Sequence, residues 1–560
     1  MHILFVCLNS QYVHLSPAPY ALAAGLAAYA QKPHTHRILS ATVNESEAAL
    51  VEEICQDSPD LVAFSAYIWN ITLIKALLPK IKERLPMVRT VLGGPEASYC
   101  PSLLLEENAA LDGVLSGEGE YPIAALLDAL EEGKEASHLP FYSCRTEMGL
   151  SIAPTPYVGS GTPPLPTDAG YTEAVKGRIA YFEASRGCPF SCAFCLSGRR
   201  EGVRLFDKEK ILPALLALAN SGCRVVKFVD RTFNANLAFA KEIWRFLMDG
   251  YGKQYPASMR FHFEIAGELL DGEAFSILES APLGLFQLEV GLQSFSAPTL
   301  AAIHRPPVSQ RLRENIRRLQ GLGSVHIHID LIAGLPYETL DTFAFGFGEA
   351  YALSAHMLQL GFLKLLHGAP MRENPEAYPC TYAKEPPYEV IETPWLSKAD
   401  MAILHLAEKG TDRVYNSGHF KRTLAYLEGM PDFSPFDFFV KAGRALSFPE
   451  EHTVDKEYEA LYTLWQGQRG VDGARLRDVM LWDFLAWNSS RHIPAVLQIQ
   501  DARLKKARAY AAALYPPEKG ERRAVALLSA ENTLLFCRYT QKDSVTGLYP
   551  VLALPLPKAW

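Results

Sequence analysis

The first part of the chain alternates short apolar runs with stretches of helical period. The runs with the length and residue types of buried strands are HILFVCL, THRILSATV, LVAFSAY, TVLGGPEA and DGVLSGEGE. The stretches with apolar residues at helical spacing are PYALAAGLAAYAQ, SEAALVEEICQ, ITLIKALLPKIKERL and PIAALLDALEEG. Short apolar strands that alternate with helices indicate an α/β domain with a parallel, doubly wound sheet. We assign residues 1–135 to this domain.

A segment without periodicity separates this domain from a second series of strands and helices. Residues 136–176 contain the run GSGTPPLPTDAG, whose proline and glycine content predicts a linker. The strands predicted beyond it read RIAYFEAS, RVVKFVD, RFHFEIA, LFQLEVGLQ, VHIHIDLIAGL and MLQLGFLKLL. About six such strand–helix units predict an open, partial β/α (TIM-like) barrel, with its active groups at the carboxyl ends of the strands. We place this barrel at residues 177–370.

The final part of the chain has a different pattern. Residues 395–515 are mostly helical in period and contain four of the tryptophans: Trp395, Trp465, Trp482 and Trp487. The tail reads AVALLSA, NTLLFCRYT and GLYPVLALP, which is typical of a small β meander. We assign residues 371–560 to a mostly helical C-terminal domain and a candidate substrate cap. YNSGHF (415–420) and PFDFF (435–439) are candidates for the substrate end of the barrel, and ordinary helix packing explains them equally well.

Composition and charge narrow the class of protein. The 560 residues include 54 Lys and Arg against 62 Asp and Glu, and the net charge of −8 argues against a duplex nucleic-acid footprint. The opening MHILFVCLNS has no Lys or Arg before a short apolar run, so we interpret it as a buried strand rather than a signal peptide. No uninterrupted apolar stretch of about 18 residues occurs, so no membrane span is expected. We therefore expect a cytoplasmic protein without disulfides.

Three of the ten cysteines lie together. Cys188, Cys192 and Cys195 form a Cys-x3-Cys-x2-Cys arrangement in RGCPFSCAFC, directly after a predicted strand. A structural zinc site normally has four ligands, but the nearest further cysteine, Cys223, lies in a separate strand–helix unit and no histidine is close in sequence. Three thiolates on one loop suit an iron–sulfur cubane in which one iron stays open to an exogenous ligand.

The cysteine motif resembles that of the radical S-adenosylmethionine (SAM) enzymes, in which an aromatic residue, here Phe194, usually precedes the last cysteine. The resemblance implies an oxygen-sensitive enzyme whose 4Fe–4S cluster chelates SAM and cleaves it to a 5′-deoxyadenosyl radical. We expect Gly187 and Pro189 to shape the tight cluster loop. Arg186 and Arg199 are candidates for charges that tune the cluster, or for ordinary solvated side chains.

Within the barrel, LEVGLQSF and HIDLIAGLP are similar to the branch that includes oxygen-independent coproporphyrinogen oxidase. This resemblance implies that Glu264 or Gln293 contacts the ribose hydroxyls of SAM. It also implies that Arg305 and Asp330 hold the methionyl carboxylate or the sugar, and that the backbone near Gly334 lines the adenine. SAM needs hydroxyl acceptors, a carboxylate partner and close backbone approach, which these residue types supply. Each of them could equally be a structural residue of the barrel.

FVDRTFN (228–234) occupies the place of the family's second strand. In that family this strand meets the methionine end of SAM, so Asp230 and Arg231 are further candidates for SAM binding. The resemblance covers about residues 1–370.

A parallel α/β domain ahead of such a barrel is similar to the cobalamin-dependent radical SAM enzymes, in which an N-terminal Rossmann-like domain presents cobalamin. LGGPEAS (92–98) and LSGEGEYP (115–122) resemble loops of that family, and both follow predicted strands, where ligands bind in α/β sheets. The cobalamin-contacting residues that the resemblance implies are Ser65, Gly93, Gly94, Pro95, Glu118 and Gly119. The alternative is a degenerate domain that binds nothing.

We expect cobalt to have no histidine ligand from this domain. The Asp-x-His-x-x-Gly motif of methionine synthase-type proteins is absent, and the histidines of the domain stand in other contexts: His2, His14, His34 and His36. Tyr67 or Trp69 is a candidate to cover the lower face of cobalt, and aromatic core packing is the alternative role. A GxGxxG fingerprint is also absent, which argues against a nicotinamide cofactor.

The expected reaction is methyl transfer to an unactivated carbon. One SAM methylates cob(I)alamin, a second gives the radical that abstracts hydrogen, and the substrate radical takes the methyl group. Two alternatives are a family member that cyclises, contracts or oxidises its substrate, and a non-catalytic corrinoid or iron–sulfur protein. Gln293, Arg305 and Asp330 argue against the second, because an electron carrier needs no SAM pocket. The cluster chemistry implies a flavodoxin or ferredoxin as electron donor, and we expect a monomer or weak oligomer. The sequence does not identify the substrate.

Overall fold

A computed structural model gives the fold and describes residues 1–199, 202–448, 453–490, 492–499, 501–543 and 545–557. The chain divides into two compact units. The first contains Met1–Ile277, Ile303–Arg305 and Leu363–Ile391, and the second contains Leu278–Ala302, Pro306–Phe362 and Glu392–Trp560. Over the described part of the chain, no helix combines the length and the apolar character needed to cross a membrane.

The first unit begins with a seven-stranded sheet in the order β2-β1-β3-β4-β5-β6-β7. Its strands are β1 (His2–Asn9), β2 (Thr35–Thr42), β3 (Leu61–Ser65), β4 (Arg89–Gly93), β5 (Gly113–Leu115), β6 (Tyr142–Thr146) and β7 (Gly149–Ser151). Its helices are α1 (Ala18–Tyr29), α2 (Glu47–Cys55), α3 (Ile71–Arg84), α4 (Pro101–Glu107) and α5 (Glu120–Glu131). β1 to β5 pair in parallel, as predicted, and β6 and β7 are antiparallel additions.

Both faces of this sheet are buried. On β1, Leu4 and Val6 join a core that includes residues of α2, α3 and α4, whereas Ile3 and Phe5 join a second core with residues of α1 and α5. A strand that is covered on both faces needs a continuous apolar run rather than an alternating one. The predicted doubly wound α/β domain is therefore confirmed.

The structure differs from the linker predicted at 136–176. β6 and β7 lie inside that range and extend the sheet beyond β5. β6 buries Tyr142 and Cys144 but exposes Arg145, and β7 has three residues, so neither strand is long enough to give a readable pattern. Pairing with β5, rather than local sequence, forms these strands.

The chain then enters a second β/α series within the first unit. Its elements are α6 (Tyr171–Ala174), β8 (Ile179–Phe182), β9 (Ser185–Gly187), β10 (Val203–Leu205), α7 (Lys208–Asn220), β11 (Val225–Phe228), α8 (Leu237–Gly250), β12 (Phe261–Ile265) and α9 (Gly272–Ser280). β8, β11 and β12 are parallel neighbours in that order, and β9 pairs antiparallel with β10. The side chains of Asp207 and Asn236 cap α7 and α8.

The second unit continues with parallel strands and helices. The elements are β13 (Phe286–Gln293), α10 (Ala297–Ala302), α11 (Gln310–Leu322), β14 (His326–Ala333), α12 (Leu340–Tyr351) and β15 (Met357–Phe362). β14 pairs in parallel with β13 and β15. In β13 and β14 buried residues alternate strictly with half-buried ones, so one face packs on the helices while the other carries polar side chains.

Residues Leu363–Ile391 return to the first unit, and we call them the return segment. They contain α13 (Pro370–Glu373) and β16 (Thr381–Tyr382), and β17 (Val390–Glu392) begins at their end. β16 and β17 form a two-stranded sheet.

The rest of the second unit is mostly helical. Its helices are α14 (Lys398–Gly410), α15 (Lys421–Leu427), α16 (Pro435–Ala445), α17 (Val454–Gln466), α18 (Gly473–Trp487) and α19 (Leu504–Leu514), with a π-helical turn at Thr411–Asn416. β18 (Arg523–Leu527), β19 (Thr533–Arg538) and β20 (Val551–Pro555) form an antiparallel sheet. This confirms the predicted helical C-terminal region and its terminal meander.

The two motifs considered for the substrate end serve packing within this unit. In YNSGHF, the Asn416 side chain accepts from the backbone N–H of Leu358 and donates to its carbonyl oxygen, each at 2.9 Å, so it completes the edge of β15. In PFDFF, Phe436 is buried and its ring lies 6.2 Å from Phe343 and 5.7 Å from Phe347 on α12. These contacts support the packing explanation.

Candidate active site

A cavity of about 680 Å³ lies at the carboxyl ends of β1, β3, β4 and β5, and all of its lining residues belong to the first unit. Parallel strands bring the loops that follow them to one edge of a sheet, where ligands bind in this type of fold. Most residues predicted to contact cobalamin line it: Ser65, Gly93, Gly94, Glu118 and Gly119. Pro95 is exposed and is not among the lining residues.

Glycines allow two loops to pass close to neighbouring backbone at this cavity. Gly94 and Gly117 both have a φ of 98°, a conformation that other residues rarely adopt. A Cβ on Gly94 would lie 2.6 Å from the carbonyl oxygen of Ala66, and a Cβ on Gly117 would overlap the backbone of Tyr157. Ser98 links the two loops, because its hydroxyl donates to Gly94 O at 2.8 Å and accepts from Gly117 N–H at 3.0 Å.

The cavity has features that fit a large, mostly apolar ligand with amide groups. Among the described residues, the buried Oγ of Ser116 has no hydrogen-bond partner, and Ser116 stands between the lining residues Leu115 and Gly117. The buried Oγ1 of Thr167, on the wall, also has no partner in the described part of the chain. Buried hydroxyls seldom stay unpaired in native proteins, so Thr167, which lies on the wall, points to a polar group of a ligand. A corrin ring with its amide side chains has this chemistry.

An aromatic pair forms part of the wall. The rings of Tyr67 and Trp69 are stacked, with centroids 4.3 Å apart and planes 7° apart, and Trp69 Nε1 donates to Leu8 O at 3.2 Å. His14 also lines the cavity, and its Nδ1 lies 2.6 Å from the Tyr181 hydroxyl. The sequence context of His14 gave no sign of this position, because the contact with Tyr181 spans 167 residues.

The three cysteines follow β9 on one loop. Cys192 is buried, and Cys188 and Cys195 are half-buried. The Arg305 guanidinium donates to Cys192 Sγ at 3.6 Å, and Cys188 Sγ lies 3.4 Å from Thr232 Oγ1. Burial raises the pKa of the Cys192 thiol, and the charge and hydrogen bond of Arg305 oppose that effect. A positive group beside the loop therefore favours thiolates, which are the form that binds metal.

Gly187, with a φ of 104°, makes the turn into this loop, as predicted.

Arg186 connects the cluster loop with the loops of the seven-stranded sheet. Its guanidinium lies 2.8 Å from Glu118, 2.6 Å from Glu120 and 2.8 Å from Glu183. Arg204 donates to Glu118 at 2.6 Å. Burial alone would raise the pKa of Glu118, but hydrogen bonds and charges of Arg204 and Arg186 lower it. Arg186 is thus an ion-paired residue rather than a solvated one, and Arg204 is a partner that the sequence did not indicate.

The residues predicted for SAM in the first unit have different surroundings. Asp230 is 2% exposed and accepts from the backbone N–H of Ala184 at 3.0 Å and from the hydroxyl of Ser185. Burial raises its pKa to about 7. Arg231 lines the cavity and lies 3.8 Å from the Glu264 carboxylate. Asp230 therefore fixes the backbone before the cysteines, whereas its neighbour Arg231 faces the cavity.

The remaining residues predicted for SAM lie near the cysteines or in the second unit. Phe194 is half-buried between Cys192 and Cys195. In the second unit, Gln293 ends β13 with a φ of 69°, and Gly334 follows β14 with a φ of 91°. Asp330, also on β14, is the register partner of Gly291. These residues stand at or near the carboxyl ends of their strands, where the sequence places them.

Three family models match successive parts of the chain. The model described as "B12 binding domain" matches residues 14–127, and the "Radical SAM superfamily" model matches residues 182–344. A model described as "Protein of unknown function (DUF4080)" matches residues 376–522. The B12-binding model covers β2 to β5 of the seven-stranded sheet, and the radical SAM model covers the cysteine loop with much of the β/α series that follows.

Two curated relatives are similar to a little over half of the chain. The cobalamin-dependent radical SAM methyltransferase TokK of Streptomyces tokunonensis is 28% identical over 360 residues, which are 60% of this chain and 50% of that protein. The anaerobic magnesium-protoporphyrin IX monomethyl ester cyclase of Cereibacter sphaeroides is 24% identical over 345 residues, 58% of this chain and 55% of the cyclase. The chain thus spans about half the length of these relatives.

A solved structure shows the same fold. The cobalamin-dependent SAM radical enzyme OxsB, with aqua-cobalamin bound, matches with a TM-score of 0.59 at 14% identity over 86% of this chain and 79% of OxsB. The matched models give the chain a B12-binding domain followed by a radical SAM domain, and its curated relatives include cobalamin-dependent radical SAM methyltransferases. The cofactors that go with these two domains are cobalamin, and a 4Fe–4S cluster with SAM.

Proposed function

We propose that this chain is a methyltransferase of the family and methylates an unactivated carbon. One observation supports this most directly. The cavity at the end of the seven-stranded sheet also has Ser185, Arg186 and Gly187 in its wall, the residues immediately before Cys188. A cofactor in that cavity would lie against the cluster loop, as group transfer between two cofactor sites requires.

The cluster loop would hold the iron–sulfur cofactor. When bound, the cluster and SAM supply a radical that removes hydrogen from the substrate, and cobalamin supplies the methyl group. Cys188, Cys192 and Cys195 would each bind one iron through Sγ. Arg305 donates to Cys192 Sγ and offsets the negative charge of the thiolates. Asp230 holds Ala184 and Ser185, and with them the start of the loop.

The cavity would hold cobalamin. The glycine turns at Gly94 and Gly117, which pack against the backbone of Ala66 and Tyr157, would set the two loops that face the cofactor. The stacked rings of Tyr67 and Trp69 would form part of the wall against the cofactor. The mostly apolar wall excludes water and oxygen from the reacting centre.

Within the first unit, Arg231 and Glu264 are the candidates for SAM, since Arg231 lines the cavity and lies 3.8 Å from the Glu264 carboxylate. The roles of Gln293, Arg305, Asp330 and Gly334 in SAM binding stay predictions from the sequence. In this proposal Asp230 positions the loop and does not contact SAM.

The first test is cofactor content. The wild-type protein is purified without oxygen, reconstituted with iron and sulfide, and mixed with hydroxocobalamin. The variant with Cys188, Cys192 and Cys195 all changed to Ala should lose about four irons per chain and keep its cobalamin. Cys223→Ala is the matched control, since this buried thiol lies on another element, and it should keep both cofactors. Zinc in place of iron, or no bound cobalamin, would contradict the proposal.

The second test is catalysis. Under strong reductant the wild type should convert SAM to 5′-deoxyadenosine, and the triple variant should not. Failure of the wild type to cleave SAM would support a non-catalytic corrinoid protein instead. Among candidate substrates, a product heavier by one methylene group would demonstrate methylation.

A second candidate reaction follows from the similarity to the magnesium-protoporphyrin ester cyclase. In that case the chain would rearrange or oxidise its substrate without adding a methyl group, and the product mass would not increase by a methylene. A flavodoxin or ferredoxin donor, a monomeric or weakly oligomeric state and a cytoplasmic location stay predictions from the sequence.

A further inference from the structure

The return segment contacts loops that belong to both proposed cofactor sites. It follows the last strand of the β/α series but packs in the first unit. The match to the domain of unknown function begins within it, at residue 376. No role has been given to these residues in the function proposed above.

At one end, the return segment holds the cluster loop. The backbone N–H of Met371 donates to the carbonyl oxygen of Ala193, which stands between Cys192 and Cys195, at 3.0 Å. Arg199, four residues beyond Cys195, donates to the carbonyl oxygen of Gly368 and lies 2.6 Å from the Glu373 carboxylate. The loop is therefore fixed on both sides of its last cysteine.

At its other end, the return segment holds the loop after β4. The hydroxyl of Tyr388 donates to Oε1 of Glu96, and both side chains are buried, with 5% and 3% of their surface exposed. Glu96 lies two residues after Gly94, in the loop that resembles a cobalamin loop. Its backbone N–H donates to Ala66 O at 3.3 Å, and Ser98 links the same loop to Gly117.

The two ends are joined by bonds within the return segment. Leu365 N–H donates to Tyr388 O at 3.0 Å, and Val390 N–H donates to Leu363 O at 2.9 Å. Arg372 donates to Leu365 O at 2.6 Å, and its guanidinium lies 4.5 Å above the ring of Tyr388. The position of Tyr388 is thus tied to the part of the segment that contacts the cluster loop.

We propose that Tyr388 and Glu96 are positioning residues for cobalamin, and that the return segment sets the cobalamin loop relative to the cluster loop. The inference rests on the function proposed above. Glu96 is a buried carboxyl, and without the Tyr388 hydroxyl its Oε1 atom loses its donor. The loop would then move to hydrate that group, which displaces the backbone at Gly94 and, through Ser98, at Gly117.

The test compares Tyr388→Phe with Tyr382→Phe. Tyr382 lies in the same segment and also lies under Arg372, at 5.4 Å, but the structure gives it no bond to Glu96. Each reconstituted holoprotein is titrated with hydroxocobalamin, and its iron content and thermal midpoint are measured. Tyr388→Phe should raise the Kd for cobalamin about tenfold, while Tyr382→Phe leaves it unchanged. Iron content should stay at the wild-type value in both.

A second pair of variants separates positioning from folding. Glu96→Gln keeps an oxygen that accepts from Tyr388, so its Kd should stay near that of the wild type. Glu96→Ala should weaken cobalamin binding as much as Tyr388→Phe. Cobalamin binding by Tyr388→Phe and Glu96→Ala at the wild-type Kd would overturn the inference and leave the proposed function standing. If the wild type binds no cobalamin, both the inference and the proposed function are overturned. If the Kd for cobalamin rises in the four variants only in proportion to the fall in their thermal midpoints, the inference alone is overturned.

Discussion

At the scale of single residues, several carboxyl groups of this protein are buried with few partners. Glu338, in the turn after β14, is 1% exposed. Its Oε1 accepts from the hydroxyl of Ser294, and its Oε2 has no hydrogen-bond partner among the described residues. Burial raises the pKa of Glu338 from 4.5 to about 7, and the hydrogen bond from Ser294 only partly opposes this. The folded state therefore favours the protonated carboxyl.

This gives a pH-dependent stability with a definite sign. Between pH 4.5 and about 7 the folded protein keeps a proton that the unfolded chain releases, so the contribution of Glu338 to stability falls as the pH rises through that window. Glu338→Gln stays neutral and can still accept from Ser294. From pH 5.5 to 7.5 the free energy of unfolding of the wild type should fall by about 2 kcal/mol more than that of the variant. Urea denaturation at the two pH values measures this.

The control for this experiment is Glu314→Gln, an exposed carboxyl on α11. It should show the same pH dependence as the wild type. An identical pH dependence in Glu338→Gln would show that Glu338 is ionised in the folded protein, contrary to its surroundings.

Residue types and spacing could predict part of the site but not the direction of each side chain. The three cysteines were recognisable because their spacing within one loop is itself the signal. Asp230 and Arg231 are adjacent and both polar, yet Asp230 bonds to Ala184 and Ser185 whereas Arg231 faces the cavity. The direction of the Asp230 side chain depends on hydrogen-bond donors of Ala184 and Ser185, and Ser185 lies 45 residues earlier in the chain.

At the scale of elements, two helices of the C-terminal region cross in close contact. Gly410 ends α14 and Gly443 lies in α16. A Cβ on Gly410 would overlap the carbonyl oxygen of Phe439, and a Cβ on Gly443 would overlap that of Leu406. Since both overlaps are with backbone, the helices could accommodate a side chain only by moving apart.

Gly443→Ala should therefore destabilise the protein, although alanine favours an isolated helix. We expect a loss of about 3 kcal/mol, because added atoms in a packed contact force backbone shifts. Gly467→Ala, at the end of α17, is the control, since a Cβ there would meet its nearest atoms at 4.0 Å and should change stability by less than about 1 kcal/mol. Urea denaturation measures both. Equal stability of the two variants would contradict the close crossing.

Elements with a continuous pattern were predictable, and those formed by distant partners were not. The strand–helix alternation of β1 to β5 was visible because both faces of these strands are buried. β6 and β7 were interpreted as linker because they are short, and because β6 forms by pairing with β5 and β7 by pairing with β6. The return segment gave no signal, since its contacts with Ala193 and Glu96 join residues that are far apart in sequence.

At the scale of the whole molecule, charges on three parts of the first unit meet at Arg186. Glu118 and Glu120 come from the loop and helix after β5, Glu183 follows β8, and Arg186 itself precedes the cysteines. The side chains of Glu118 and Glu120 are 12% and 8% exposed, so water screens them little. Without Arg186, Glu120 and Glu183 would lose the arginine that pairs with them, whereas Arg204 would still pair with Glu118.

Arg186→Gln should cost about 3 kcal/mol in the free energy of unfolding, because it leaves buried carboxylates without their partner. The deficit should be smaller at pH 5 than at pH 8, because Arg186 helps to lower the pKa of Glu118, and without it this buried carboxyl takes up a proton more readily as the pH falls. Arg84→Gln, an exposed arginine on α3, should change stability by less than about 0.5 kcal/mol at either pH. Urea denaturation of the wild type and the two variants at both pH values measures these differences in the free energy of unfolding. If the Arg186→Gln deficit did not depend on pH, it would come from lost packing of the arginine side chain, and the ion pairs would contribute little to joining the sheet to the cluster loop.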